Sequence, residues 1–146
     1  MFRLKNKPVL LIIDDDELLC CLLSTMLYTK NVTVAQAESI TSAHKILRDS
    51  KPALVFLDNS LPDGNGIDYI SRLKTVSNTE VVLMTGYDDE DLEALAMSKG
   101  CLGFLQKPFS YRSVSDLVDK ALKTQTGWYN ILKRQYEGVH LLKAKK

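Results

Sequence analysis

The sequence predicts an α/β fold, a parallel sheet of five strands covered by helices on both faces. Two observations carry that expectation. Four short apolar runs, at 9–13, 53–57, 80–84 and 101–106, are nearly continuous, as strands buried on both faces are. Between the runs lie segments of helical period, and such alternation implies right-handed crossovers between parallel strands.

The elements follow in chain order. After the first run, Leu18, Leu19, Leu22, Leu23, Met26 and Leu27 fall on one stripe of a helix starting near Asp16. Residues 32–37 are shorter and more polar, which suits an edge strand. Ser39 is the expected N-cap of a second helix reaching Leu47, and Lys51-Pro52 ends it. Past the run at 53–57, Pro62-Asp63-Gly64-Asn65-Gly66 is a dense turn signal, with Asp63 and Gly64 serving the turn. A helix with Ile67, Ile70 and Leu73 inward comes next. Asp88 is the expected cap of the fourth helix, with Leu92, Leu95 and Ala96 facing in and Gly100 closing it. Ser110 caps the fifth, with Val114, Leu117, Val118, Ala121 and Leu122 inward.

A chain of 146 residues is long enough for one domain with a real core. Its net charge of +1 hides an uneven spread: residues 1–122 hold 13 basic and 17 acidic side chains, and 123–146 hold 6 and 1. The short basic tail is expected to be a solvated helix face, and no direct nucleic acid binding is expected of this chain. Cys20, Cys21 and Cys101 are odd in number and lack metal-ligand spacing, which argues for free, packed thiols in a reducing compartment. The apolar stretch after Arg3, Lys5 and Lys7 is too short for an export signal, and no segment approaches a membrane span. The expected location is cytoplasmic, with no membrane contact.

The chemistry lies where the runs end. Asp14, Asp15 and Asp16 follow the first, Asp58 the run at 53–57, Thr85 the next, and Lys107-Pro108 the last. In open parallel sheets ligands bind outside the carboxyl ends of the strands, so these residues converge although distant in sequence. Like charges brought together call for a divalent cation, whose natural ligands are carboxylate oxygens. Acids, a hydroxyl and an ammonium in one pocket suit phosphoryl chemistry, with Asp58 as nucleophile, Lys107 neutralising phosphoryl oxygens and Thr85 donating to one of them. Taken singly, each acid after a strand could be no more than a helix cap, and Asp16 and Glu17 are read as first-turn acids favoured by the helix dipole.

Four segments, Ile13-Asp14-Asp15-Asp16, Leu57-Asp58-Asn59-Ser60-Leu61-Pro62-Asp63-Gly64, Met84-Thr85-Gly86 and Gln106-Lys107-Pro108-Phe109, resemble the CheY-like receiver domain of two-component response regulators. The resemblance covers residues 7–123. It implies a flavodoxin-like (βα)5 doubly wound sheet of strand order 2-1-3-4-5, followed by a C-terminal helical tail. It also implies that Asp58 accepts a phosphoryl group from a sensor histidine kinase or phosphotransfer protein. The metal, Mg²⁺ or Mn²⁺, would be held by Asp15 directly, by Asp14 through a water, by Asp58, and by the backbone carbonyl of Ser60. Thr85 and Lys107 would contact the phosphoryl group. Thr85 and Phe104 would switch the face made by the fourth helix, fifth strand and fifth helix toward a downstream effector protein or domain. The peptide bond Lys107-Pro108 is expected to be cis. Catalysis is expected to be limited to autocatalytic phosphoryl acceptance and self-dephosphorylation. Ser60 and Tyr87 occupy positions that tune that loss in opposing directions, and Gly86 is small, as access requires.

The alternative is a phosphatase of the haloacid-dehalogenase type, since Asp14-x-Asp16 has its paired-acid spacing. Against it, Glu17-Leu18 follows and Asp58 goes unexplained. A flavin-binding reading lacks a phosphate loop after the first strand. His44 and His140 have no evident partner and receive no chemistry. Residues 124–146 are read as a basic amphipathic tail or linker helix. Val114, Ala121, Trp128, Gln135 and Leu142 are spaced by seven, with Leu117, Thr124, Ile131 and Gly138 as companions, so the fifth helix could extend into a homodimer seam. Equally, a separate helix could fold back to bury Trp128, Ile131 and Leu132. The chain either works alone or is the N-terminal part of a longer transcriptional regulator.

Overall fold

The computed structural model describes residues 7–76 and 79–124. Five parallel strands form the sheet: β1 (Val9–Ile13), β2 (Thr33–Ala37), β3 (Leu54–Asp58), β4 (Glu80–Thr85) and β5 (Gly103–Gln106). Their order is β2-β1-β3-β4-β5, the flavodoxin-like order, with β2 on an edge as its polar composition required. The helices are α1 (Glu17–Leu27), α2 (Ile40–Ser50), α3 (Gly66–Val76), α4 (Glu90–Ser98) and α5 (residues 111–124). Among the described residues no helix is long and apolar enough to cross a membrane.

Side chains alternate across each strand, so the core has two halves. Leu11, Ile13, Val55, Leu57, Val81 and Leu83 face α2, α3 and α4 through Leu47, Ile70, Leu73 and Ala96. Leu10, Ile12, Leu54, Phe56, Val82 and Met84 face α1 and α5 through Leu23, Leu27, Val114, Val118 and Ala121. Burial on both faces is why these strands read as unbroken apolar runs rather than alternating ones.

Local signals set the helix boundaries. The Asp16 carboxylate accepts from the backbone N–H groups of Leu18 and Leu19 and caps α1. Ser39 and Ser42 form a reciprocal capping box on α2, which runs three residues beyond Leu47 to Ser50. The Ser110 hydroxyl accepts from Ser113 N–H at the start of α5. Gly100, with φ +93°, ends α4 in a conformation that a side chain would strain.

Several expectations need correction. On α1 the buried set is Cys20, Leu23 and Leu27, with Leu19 and Met26 partly buried against the same core, while Leu18 and Leu22 are 80% and 50% exposed. Six apolar positions make a stripe wider than the sheet can cover. The cap of α4 is Asp89, not Asp88: its carboxylate accepts from Leu92 N–H at 3.0 Å, and the helix starts one residue later. Ala96 is buried in that frame and Leu95 is left exposed. Cys20 and Cys101 are buried free thiols, but Cys21 is exposed. His44 does have a partner, the hydroxyl of Tyr69, at 3.0 Å, a bond that joins α2 to α3.

Val114 and Ala121, the first two positions of the proposed seam, are buried in the domain's own core. The rest of the tail reading, including Trp128, Ile131, Leu132, Gln135, Gly138, His140 and Leu142, lies outside the described residues.

Candidate functional site

The strand order places a crevice between β1 and β3, because the chain leaves β1 toward β2 and then crosses back to β3. Asp14 and Asp15 follow β1 and Asp58 ends β3, so all three acids stand at that crevice. Each offers a carboxylate oxygen within 4.8 Å of the others. Asp14 and Asp58 are 3% and 5% exposed, and among the described residues they are the buried acids, whereas Asp15 faces solvent. Three hard oxygen donors around one point suit a divalent cation such as Mg²⁺.

Lys107, arriving from the end of β5, reaches both buried acids. Its Nζ lies 2.8 Å from Asp14 Oδ2 and 3.1 Å from Asp58 Oδ1. Asp14 Oδ1 accepts from the backbone N–H of Asp16 at 2.9 Å, so both oxygens of that carboxylate are engaged. Burial raises the Asp58 carboxyl above its ordinary range and the Asp14 charge adds to the rise, against the lowering effect of Lys107 and the Ser60 N–H. Burial alone would lower the Lys107 ammonium, but its hydrogen bonds to Asp14 and Asp58 outweigh that and hold it above the usual lysine range. The peptide bond Lys107-Pro108 is cis, as expected.

Thr85 is buried at the end of β4, and its hydroxyl oxygen accepts from Tyr87 N–H at 3.2 Å. Phe104, on β5, pairs with Leu83 two residues before Thr85 and is half-buried against the core half that holds α2, α3 and α4. Gly86 has open space where a side chain would stand. Tyr87 is 74% exposed and Ser60 is exposed. Asp16, the second acid of the phosphatase spacing, spends its carboxylate on the cap of α1.

Two contributors escaped the sequence reading. Gly66 packs so tightly that a Cβ there would lie 2.4 Å from the carbonyl oxygen of Asp58. Asp63 does not merely serve the turn: it accepts from Ile40 and Thr41 at the start of α2. The Gly66 contact could have been suspected from Gly after a turn, but the Asp63 contact spans more than twenty residues and leaves no local signal.

Residues 10–119 match the response regulator receiver domain. The chain is 32% identical over 110 residues to the sensory transduction protein LytT of Bacillus subtilis, covering 75% of this chain and 45% of that protein. It is 33% identical over 88 residues to the sporulation initiation phosphotransferase F of the same organism, 60% of this chain and 71% of that one. Among solved structures, the beryllofluoride-activated NtrC4 receiver domain dimer aligns with a TM-score of 0.75 at 28% identity, covering 80% of this chain and 97% of that chain. The receiver domain of a LuxO repressor protein from Vibrio parahaemolyticus gives 0.78 at 25% identity, over 86% and 97%. The chain thus spans less than half of LytT while matching nearly the whole of isolated receiver domains. With that match across most of its length, and with the four motif segments at the carboxyl ends of their strands, the chain belongs to the response regulator receiver domain family.

Proposed function

We propose that the protein accepts a phosphoryl group on Asp58 in a divalent-metal-dependent reaction and transmits that event through Thr85 and Phe104. The observation that carries this reading is the placement of Asp58, buried and ion-paired to Lys107 beside Asp14 and Asp15. The donor is a phosphohistidine on a sensor histidine kinase or phosphotransfer protein. An Asp58 carboxylate oxygen forms the new O–P bond while the N–P bond of the donor breaks, and the released imidazole takes up a proton.

Asp15, Asp14, Asp58 and the Ser60 carbonyl would hold Mg²⁺ or Mn²⁺, which when bound supplies positive charge to the phosphoryl oxygens. Lys107 adds a second cation there once Asp58 is esterified and no longer anionic. The Thr85 hydroxyl, whose oxygen accepts from Tyr87 N–H, is free to donate its proton to a phosphoryl oxygen. Its movement vacates space into which Phe104 turns, and the face of α4, β5 and α5 carries the change to an effector protein or domain. The phosphatase alternative is disfavoured because Asp16 faces its own helix.

The test is intact-mass analysis after incubation with a small acyl phosphate. Wild type with Mg²⁺ should gain one phosphoryl group, and Asp58→Asn should gain none. Labelling of Asp58→Asn, or of wild type in chelator, overturns the assignment.

A further inference from the structure

The loop from Asn59 to Asn65 carries Ser60, and it is fixed at three levels. At its base Asn59 donates its N–H to Met84 O, its carbonyl accepts from Gly66 N–H, and its Oδ1 accepts from Ile67 N–H at 3.0 Å. In the middle a two-residue hairpin pairs Ser60 with Asn65 and Leu61 with Gly64. At the tip Asp63 leaves its own segment and binds another helix. Its Oδ1 accepts from Ile40 N–H at 3.0 Å, and its Oδ2 accepts from Thr41 N–H at 2.9 Å and from the Thr41 hydroxyl at 2.8 Å.

The arrangement is complementary. Ser39 already satisfies Ser42 N–H through the capping box, which leaves the first two N–H groups of α2 without a partner in the helix. Asp63 fills both, with its charge at the favourable end of the helix dipole. These bonds, first those to the Thr41 backbone and side chain and then that to Ile40, hold the Asp63 carboxyl below the ordinary carboxylate range. Gly64 lies against Ile40, whose Cδ1 a side chain there would meet at 3.3 Å. Base and tip are thus anchored to different parts of the domain, the sheet and α2, and the hairpin is stretched between them.

We infer that Asp63 is a positioning residue for the metal-binding loop: by fastening the loop tip to the N-terminus of α2 it fixes the backbone of Ser60 in the orientation from which its carbonyl meets the cation. The inference rests on the proposed reading that Ser60 supplies a carbonyl ligand. Groups that orient a metal ligand without touching the metal commonly govern affinity about 10- to 100-fold. Since Ser60 supplies one ligand of several, the lower end applies.

The experiment is calorimetric Mg²⁺ titration of the full chain, wild type against Asp63→Ala, Thr41→Val, Ser39→Ala and Asp15→Asn. Asp63→Ala should bind Mg²⁺ about tenfold more weakly, and Thr41→Val, losing one of three bonds, should fall between it and wild type. Ser39→Ala removes the cap that α2 makes for itself and leaves the loop untouched, so it should lose stability in urea while keeping wild-type Mg²⁺ affinity. In metal-free protein, the amide signals of residues 60–65 should move in Asp63→Ala and stay in place in Ser39→Ala. Unchanged Mg²⁺ affinity in Asp63→Ala, or an equal loss in Ser39→Ala, overturns the positioning role. Mg²⁺ binding that survives Asp15→Asn instead places the metal elsewhere, and the metal reading fails together with this one.

Discussion

Lys107→Met isolates the ammonium from the rest of the side chain, because methionine keeps the apolar stem. In the metal-free protein that ammonium is shared between Asp14 at 2.8 Å and Asp58 at 3.1 Å, whose side chains are 1% and 7% exposed. Removing one partner from a fully buried pair costs about 3–5 kcal/mol, while an exposed pair is worth about 0–1 kcal/mol. The lysine side chain is 22% exposed, so water softens the loss. These bounds place Lys107→Met about 2 kcal/mol below wild type at pH 7 in chelator. With a urea slope of about 2 kcal/mol/M, the unfolding midpoint should fall by about 1 M. Two controls follow from the same geometry. Saturating Mg²⁺ replaces the missing charge and should narrow the gap, and in an Asp58→Asn background the gap should also narrow because only one of the lysine's two carboxylate partners remains. A midpoint for Lys107→Met equal to wild type in chelator would refute the account, since water rather than Lys107 would then be satisfying both acids.

Asp58→Asn should be more stable than wild type at pH 7. Because the folded carboxyl lies above its ordinary value of 3.8, the folded state holds the extra proton between the two values. Wild-type stability therefore falls as pH rises through that window, and the advantage of the variant is full above it and vanishes below the ordinary value; urea unfolding at several pH values reads it. Gly66→Ala should cost about 1–3 kcal/mol by forcing a Cβ onto the Asp58 carbonyl, and should slow phosphorylation by acyl phosphate, which a timed mass series would detect. Thr85→Ala should still take up the phosphoryl group but fail to transmit it. Amide exchange across residues 88–112 that responds as strongly in Thr85→Ala as in wild type would count against the switch.

Much of the frame was legible because burial on both faces leaves a plain mark in sequence. The runs that became β1, β3 and β4 are apolar but for their ends, and the parallel arrangement they imply gathers their carboxyl ends, so the meeting of Asp14, Asp15, Asp58 and Lys107 was legible in the sequence. Choices between near-equivalent neighbours were not legible. Asp88 and Asp89 cap equally well, and the phase of α4 that buries Ala96 decides for Asp89. On α1, six apolar residues overfill a stripe, and only the packed sheet selects Cys20, Leu23 and Leu27. The contacts of His44 with Tyr69, between two helices, and of Asp63 with Thr41, from a loop to a helix, link residues more than twenty positions apart, and periodicity within either segment says nothing of its neighbour.

Restraints on the two sides of β3 differ in kind. Toward β4 and β5 the side chains are held more lightly: the Thr85 hydroxyl oxygen meets a single N–H, and Phe104 is half-buried against the core. Toward β2 the restraints are stronger: Asp63 takes three bonds from α2, and Tyr69 joins α3 to His44 on that same helix. A weakly restrained pair changes state at small cost, whereas a segment tied at base, middle and tip resists displacement. Charge arriving at Asp58 should therefore be felt as movement on the side of α4 and α5, with the side of α2 acting as the fixed frame against which that movement is made.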